Sequence, residues 1–210
     1  MNCPLCHTNN NIFFLKQEHH VFYCCKICDA KYRDISNYIT AKAEKERYKL
    51  HNNDVDDKSY QNFASPIVNY ITANFDSNLS IGIDFGAGTG PVITKLLEEK
   101  NYTISVYDPF FHPNKSVLEK KYDYIVCCEV IEHFKSPKKE FVLLKKLLKS
   151  KGKIVCMTHL YENSINFKNW YYKNDPTHIF IYTKKTIGWI KENFGFSKLE
   201  INNRLIVFDK

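Results

Sequence analysis

A glycine-rich turn between an apolar strand and a helix places the strongest constraint on this fold. Residues 80–85, "SIGIDF", are typical of a short buried strand, and residues 86–90, "GAGTG", are typical of a tight turn. Residues 91–100, "PVITKLLEEK", follow as a helix with Pro91 in its first turn, where no backbone donor is needed. A strand that turns directly into a helix predicts a second strand parallel to the first.

The sequence after this turn continues the alternation of strands and helices. Residues 102–108, "YTISVYD", and 122–128, "YDYIVCC", are predicted strands. Residues 137–149 predict an amphipathic helix with lysines outward, and residues 153–159, "KIVCMTH", predict a further strand. We therefore predict the α/β class: a Rossmann-like sheet with helices on both faces.

Three regions are predicted along the chain. Its 210 residues, 44% of them apolar, suit one main domain with a small appendage. Residues 1–35 predict a small cysteine module, residues 36–78 a helical linker or lid, and residues 79–210 the main domain.

The cysteine module has the spacing of a zinc ribbon. Five of the eight cysteines lie in the first 28 residues, and two Cys-x-x-Cys pairs, Cys3 with Cys6 and Cys25 with Cys28, are separated by eighteen residues. Two such pairs complete the tetrahedral thiolate shell of a closed, structural zinc site. Cys24 is an alternative to Cys25, but "CKIC" reproduces the spacing of "CPLC" and favours Cys25.

The glycine turn is flanked by two acidic residues. Gly86, Gly88 and Gly90 are spaced G-x-G-x-G, tighter than the G-x-G-x-x-G of dinucleotide sites. Asp84 precedes them, which suits a ligand with a cationic group and no phosphates. Asp108 ends the next predicted strand, where a carboxylate can accept both hydroxyls of a ribose. These residues predict a nucleoside site at the turn.

From about residue 60 onward the chain resembles the class I S-adenosylmethionine (SAM)-dependent methyltransferases. "DFGAGTG" is similar to their first motif, Asp108 matches their ribose-binding acid, and "YDYIVCCEVIEHF" and "KSKGKIVCMTH" are similar to the segments around their fourth and fifth strands. The resemblance implies SAM as the cofactor. Only about fourteen residues separate Asp108 from Tyr122, so we expect the usual third strand to be shortened or rebuilt.

Two glutamates and a histidine follow the strand at 122–128. On a helix, Glu129, Glu132 and His133 would share one face. Two neighbouring carboxylates repel each other unless a proton or a cation lies between them. Carboxylates with imidazole suit a divalent ion such as Mg²⁺ or Mn²⁺, so the run predicts a metal site.

The same run is similar to E-x-x-E-H in two methyltransferase groups, the small-RNA 3′-terminal 2′-O-methyltransferases and the ubiquinone-pathway O-methyltransferases. Both use a further downstream histidine, which "DPTHIF" supplies here as His178. The resemblance implies a metal on Glu129, Glu132, His133 and His178, with the last three as catalytic residues. Such an ion would bind adjacent oxygens of the acceptor and lower the pKa of its hydroxyl. Since class I enzymes without a metal also carry "E-H", a purely structural pair remains the alternative.

Several other residues near the expected site have two interpretations. "RYKLHNND" lies where this superfamily often builds a lid, and "NFKNWYYKNDPTH" lies where it often selects the acceptor. Their side chains either contact the substrate or stabilise the fold; they are Arg47, His51, Asn52, Trp170, Tyr171 and Tyr172. His51 and His159 are also candidates for a base, with a structural role as the alternative.

Charge adds a hint about partners. The formal net charge is +7, and residues 135–210 carry 16 Lys and Arg against 6 Asp and Glu. This excess indicates either an anionic partner such as RNA or a solvated helix face. A chain with short apolar stretches and no signal peptide predicts a cytoplasmic protein without membrane contact, and no DNA partner is expected.

These observations predict metal-assisted methyl transfer to a hydroxyl of a small molecule or RNA. The alternatives are methyl transfer to nitrogen or carbon of RNA without an active-site metal, and a non-catalytic protein whose zinc ribbon docks a partner.

Overall fold

The computed structural model describes residues 2–51 and 53–210 of the chain. The chain begins with three short strands, β1 (Asn11–Gln17), β2 (His20–Cys25) and β3 (Lys31–Arg33), each antiparallel to the next. Two helices follow, α1 (Ala41–Lys49) and α2 (Lys58–Asn74). The side chain of the residue before each helix, Thr40 or Asp57, accepts a hydrogen bond from a first-turn amide and so caps the helix.

The remaining chain alternates strands and helices as predicted. In order, the elements are β4 (Ile81–Phe85), α3 (Val92–Glu98), β5 (Thr103–Tyr107), β6 (Tyr122–Cys128), α4 (Pro137–Leu147), β7 (Leu148–Met157), β8 (Phe180–Ile181), α5 (Lys184–Asn193), β9 (Lys198–Asn202) and β10 (Leu205–Asp209).

A six-stranded sheet forms the centre of the described chain, in the order β5-β4-β6-β7-β10-β9. The pairs β4–β5, β4–β6 and β6–β7 are parallel, whereas β10 is antiparallel to both β7 and β9. The predicted α/β class with a mostly parallel sheet is confirmed. Because parallel strands all end at the same edge, the segments after β4, β5 and β6 lie together there.

Helices cover both faces of this sheet. Alternate strand residues point to opposite faces, so Ile125 and Cys127 of β6 pack on the side of α4 and α5, while Tyr124 and Val126 pack on the side of α2 and α3. Each strand is therefore apolar on both faces, which is why β6 reads as a continuous apolar run.

The connection between β5 and β6 is short. Residues 109–121 hold a single described 3₁₀ helix, Lys115–Glu119, where a third strand was expected to be shortened or rebuilt. The strand β5 is consequently the edge of the sheet. This thirteen-residue interval is too short for a helix plus a strand that crosses back over the sheet.

The cysteine module packs against the main domain and shares a sheet with it. Strand β3 pairs antiparallel with β8, with Lys31 opposite Ile181 and Tyr32 opposite Phe180, so the second sheet has the order β1-β2-β3-β8. Buried Leu5 and Tyr32 belong to the same apolar cluster as the central sheet. The boundaries 1–35, 36–78 and 79–210 therefore stay a prediction, and the first of them crosses a shared core.

In the described part of the chain, no helix is both long and apolar enough to cross a membrane.

Because the module and the main domain share a core, they should unfold together. We expect one thermal transition in differential scanning calorimetry, with a calorimetric enthalpy equal to the van't Hoff enthalpy. Two resolved transitions, one of them abolished by deletion of residues 2–38, would contradict a shared core.

Candidate functional site

A cavity of about 760 Å³ opens at the carboxyl edge of the parallel strands. The glycine turn and the ends of β4, β5 and β6 form one side of it, and α1, α2 and the segment between β7 and β8 form the other. Its volume lies within the range of roughly 300–1,000 Å³ that is usual for small-molecule sites.

The glycine turn is tightly packed against its neighbours. Gly86 has a φ of 82°, and its amide donates to the Tyr107 carbonyl at 2.7 Å. A Cβ at this position would lie 2.6 Å from a methyl group of Val130. Glycine is therefore required there both by conformation and by space. A Cβ on Gly90 would lie 1.8 Å from the carbonyl oxygen of Asn53, so the turn packs closely against the segment that leads into α2.

Asp108 is buried directly after β5 and faces the same turn. Its Oδ2 accepts a hydrogen bond from the Gly88 amide at 3.0 Å, and its Oδ1 accepts from the amides of Phe110 and Phe111 at 2.8 and 3.0 Å. These three donors orient the carboxylate at the wall of the cavity. The predicted residues Gly86, Gly88 and Asp108 thus lie together, as a nucleoside site requires.

Asp84, which was predicted to face a cationic ligand, is almost fully buried. Its Oδ2 accepts a hydrogen bond from Thr94 Oγ1 of α3 at 2.9 Å, and only 4% of the residue is exposed. Burial raises the pKa of Asp84 to about 6, although the bond from Thr94 lowers it. Asp84 therefore links β4 to α3 as well as lining the cavity.

The run 129–133 is not an α-helix. The strand hydrogen bonding continues to Glu129, whose amide donates to the Met157 carbonyl at 2.8 Å, and a φ of 51° at Glu129 then turns the chain. A 3₁₀ helix, Ile131–His133, follows. The expected single helical face is absent from this described run, since residues 129 and 132 lie on either side of the turn.

Glu129 is paired with a cation that the sequence did not indicate. Arg204, in the turn between β9 and β10, lies 2.5 Å from Glu129 Oε1. Burial and the nearby charge of Glu132 together raise the pKa of Glu129 to about 8, although Arg204 opposes both effects. The repulsion between the two carboxylates is thus met in part by an arginine of the chain itself.

Glu132, His133 and His178 converge in space although they are far apart in sequence. One ligand atom of each lies within 4.8 Å of the other two. Glu132 is fully buried; its Oε1 accepts from the Tyr172 hydroxyl and its Oε2 accepts from Thr158 Oγ1 at 3.1 Å. Burial raises the pKa of Glu132, and both hydrogen bonds oppose that effect.

The two imidazoles present the same nitrogen to the cavity side. His133 Nδ1 donates to the Thr177 carbonyl at 2.9 Å, and His178 Nδ1 donates to the Tyr172 carbonyl at 2.7 Å. Nε2 of each ring is then the unprotonated nitrogen, and Nδ1 bound to a carbonyl is the usual arrangement in metal-ligating histidines. Burial lowers the pKa of both rings, for His178 to about 3. Two neutral imidazoles with one carboxylate fit a divalent ion.

The four predicted zinc ligands also converge. Their sulfur atoms all lie within 4.8 Å of one another, with Cys3 Sγ 3.6 Å from Cys28 Sγ and Cys6 Sγ 3.4 Å from Cys25 Sγ. Tetrahedral zinc–sulfur bonds of about 2.3 Å place sulfurs roughly 3.8 Å apart, so this donor set fits zinc. Cys24 points elsewhere, with its Sγ 3.7 Å from Asp29 Oδ1.

A protein-family model described as a methyltransferase domain matches residues 52–201. The chain belongs to this methyltransferase family. The prediction of a methyltransferase is confirmed at the level of the family. No sequence match was found among curated proteins.

Solved structures with this fold share little sequence with the methyltransferase described here. An O-methyltransferase family protein from Burkholderia thailandensis is similar over 79% of this chain and 61% of its own, with a TM-score of 0.55 and 11% identity. Human N-acetylserotonin methyltransferase, in complex with SAM, is similar over 71% of this chain and 53% of its own, with a TM-score of 0.52 and 12% identity. The chain therefore spans little more than half the length of such enzymes.

A third structure matches over nearly its whole length. The 1,6-didemethyltoxoflavin-N1-methyltransferase from Burkholderia thailandensis, with bound S-adenosylhomocysteine, is similar over 94% of this chain and 98% of its own, with a TM-score of 0.54 and 11% identity. At this identity the likeness shows the shared fold of the methyltransferase.

The remaining sequence candidates divide between the cavity and the core. His51 and Tyr171 line the cavity of the methyltransferase, and Tyr171 is 66% exposed. Trp170 is buried in a separate aromatic cluster, and His159 Nε2 bonds the Tyr171 hydroxyl at 2.8 Å. Arg47 pairs with Asp175 at 2.8 Å. Asn52 lies outside the described residues.

Sequence reasoning missed several residues of the cavity wall. Arg204 comes from the last hairpin, and Tyr48 of α1 donates a hydrogen bond to Glu44 Oε1 at 3.0 Å. Glu44 also pairs at 2.6 Å with Lys135, which lies two residues after His133 in the chain. The charge or aromatic ring of these residues makes them candidates for a site, but no sequence spacing links residues such as Glu44 and Lys135, which are 91 positions apart.

The cysteine geometry predicts which thiols hold zinc. Atomic absorption should find about one zinc per purified chain. Cys25→Ser should lose that zinc because it removes one of four convergent sulfurs, whereas Cys24→Ser should keep it. The reverse result would show that Cys24 is the ligand.

The buried imidazole of His178 should make stability fall with acidification. Its pKa is about 3 in the folded protein against about 6.5 in an unfolded chain, so as pH falls from 7 to 5 the unfolded state gains a proton that the folded state lacks. In protein without added divalent ions, His178→Asn should reduce this pH dependence by up to about 1 kcal/mol per pH unit, measured by urea unfolding. Equal slopes in both proteins would refute a neutral buried His178.

Proposed function

We propose that the chain is a SAM-dependent O-methyltransferase that acts on a hydroxyl of a small molecule with the help of a divalent ion. The observation that carries this proposal is that two sites open into one cavity. The glycine turn with Asp108 forms one end, and His133 and His178 line the other beside buried Glu132.

The first end suits the nucleoside part of SAM. A carboxylate that is already oriented by three backbone amides can accept the two ribose hydroxyls without reorganising. The turn at Gly86 and Gly88 lets the backbone approach the ligand closely. Phe110 and Phe134 also line the cavity and offer apolar surface for a purine ring.

The second end suits a planar acceptor with adjacent oxygens. A divalent ion held by Glu132, His133 and His178 would lower the pKa of an acceptor hydroxyl. The chain's own residues orient the acceptor and exclude water, with Tyr171 and Phe63 as flanking aromatic surfaces. Arg204 lies over the Phe63 ring at 5.1 Å, so a cation also borders this end.

Glu129 pairs with an arginine and is not among the ion ligands of this proposal. Its carboxylate is paired with Arg204, and the metal-capable group found in the described residues consists of Glu132, His133 and His178. The sequence prediction of Glu129 as a fourth ligand is left as a prediction. The zinc of Cys3, Cys6, Cys25 and Cys28 is proposed to be structural, because four thiolates leave no open position.

The proposal is tested by separating the two sites. Glu132→Gln should weaken Mn²⁺ binding, followed by electron paramagnetic resonance, about 100-fold or more while SAM binding by calorimetry is kept. Asp108→Ala should do the opposite and weaken SAM binding roughly 10- to 100-fold, since hydrogen bonds to a charged group are lost. Glu129→Gln is the matched control and should change Mn²⁺ affinity less than tenfold.

Activity then identifies the acceptor atom. Labelled methyl transfer from SAM to a panel of phenols should favour rings with two adjacent hydroxyls and should stop on chelation. Full transfer in strong chelator and in His178→Ala would defeat metal assistance and favour the alternative, transfer to nitrogen or carbon without an ion.

A further inference from the structure

Among the described residues, the segment 172–179 supplies every side-chain hydrogen bond of the three candidate metal ligands apart from the bond from Thr158. The Tyr172 hydroxyl donates to Glu132, the Tyr172 carbonyl accepts from His178, and the Thr177 carbonyl accepts from His133. His178 itself belongs to the segment. The position of this backbone therefore decides whether the imidazole and carboxylate donors converge.

The cysteine ribbon holds that segment through one buried guanidinium. Arg33 of β3 is fully buried, and its NH2 group donates to the carbonyls of Lys173 and Asp175 at 2.7 and 3.0 Å. The NH1 group of Arg33 donates to His20 Nδ1 at 2.7 Å, and the backbone amide of Arg33 donates to the Ile179 carbonyl at 2.8 Å. The segment is thus bound to the ribbon near both ends.

A second ribbon contact reinforces the first. Lys173 is 4% exposed, and its Nζ donates to Gln17 Oε1 of β1 at 2.7 Å. Burying a guanidinium is costly unless its donors are used, and here one terminal nitrogen donates to two carbonyls that are two residues apart while the other donates to His20. Arg33 bonds backbone carbonyls in place of a carboxylate, so it fixes the path of the backbone.

We infer that Arg33 is a positioning residue of the catalytic site, and that the ribbon is a structural part of the divalent-ion site. This inference rests on the proposed function, since it assumes that Glu132, His133 and His178 hold an ion. The Arg33 guanidinium sets the path of residues 173–175, and this path places His178 and the carbonyls of residues 172 and 177.

The SAM end should be insensitive to Arg33. Asp108, Gly86 and Gly88 take their contacts from β5 and the residues that follow it, and from one another. Loss of Arg33 would remove the donor of the Lys173 carbonyl and one of the two donors of the Asp175 carbonyl, which also accepts from the His178 amide at 3.1 Å. The segment would loosen, so the ion site alone should weaken. Loss of an outer-shell partner typically lowers metal affinity about 10- to 100-fold.

Arg33→Met tests the inference in the full-length, zinc-loaded protein. Mn²⁺ affinity, measured by electron paramagnetic resonance, should fall about 10- to 100-fold, while SAM affinity by calorimetry and zinc content stay within twofold of wild type. Lys31→Met is the matched control: Lys31 is a buried cation on the same strand, but among the described residues its Nζ hydrogen-bonds only Asp29 and otherwise lies over the rings of Phe14 and Tyr161, outside segment 172–179. Its Mn²⁺ affinity should stay within threefold. Arg33→Lys, which keeps the charge without the fork, should fall between wild type and Arg33→Met.

The outcomes separate the two ideas. Equal Mn²⁺ affinity in wild type and Arg33→Met overturns the inference and leaves the proposed metal site standing. An equal fall in Lys31→Met overturns it as well, because general loosening of the ribbon would then explain the loss. A wild-type protein that binds SAM but no Mn²⁺ overturns the proposed metal assistance, and the inference with it.

A measurement on the wild type covers the case in which Arg33→Met does not fold. Binding is reciprocal, so an ion that needs the ribbon contact should also stabilise that contact. Saturating Mn²⁺ should slow amide hydrogen exchange in both segment 172–179 and strand β3. Slowing confined to segment 172–179 would overturn the inference.

Discussion

The parallel pairing of β4 with β5 and β6 is the constraint on which the rest of the structure depends. It brings three strand ends to one edge, so the glycine turn, Asp108 and Glu129 lie together although they are separated by up to 43 positions (129 − 86) in the chain. The helices are apolar towards the sheet because they must cover it. The cavity is the space that remains where the strands stop and the connecting segments diverge.

Burial sets the electrostatics of this cavity. Glu129 and Glu132 are close carboxylates in a poorly solvated place, and the chain treats them differently. Glu129 faces Arg204, whereas Glu132 is held by neutral hydroxyls beside two imidazoles that burial keeps unprotonated. Glu129 is thus paired with a cation of the chain itself, whereas Glu132 lies beside two neutral imidazoles, and together these three side chains can bind a cation from solution.

The ribbon and the main domain depend on each other for a practical reason. A module of about 35 residues has too little apolar surface for a stable core of its own, so four thiolates and a shared core both contribute to its stability. Because β3 pairs with β8, the ribbon lies directly beneath the segment that enters the cavity. The proposed structural zinc site thereby belongs to the module that contacts the proposed ion site.

The sequence by itself determined the elements whose signals are local: the strand–turn–helix at Gly86, the four convergent cysteines, and the α/β class. It also indicated His133 and His178 through a resemblance. It did not determine the 3₁₀ turn, because the positive φ of Glu129 depends on the sheet bond to Met157. Only the tertiary structure decided that Arg204 meets Glu129 and that the ribbon extends a sheet through β8. Such contacts join residues far apart in the chain, and their energies depend on burial that no local pattern encodes.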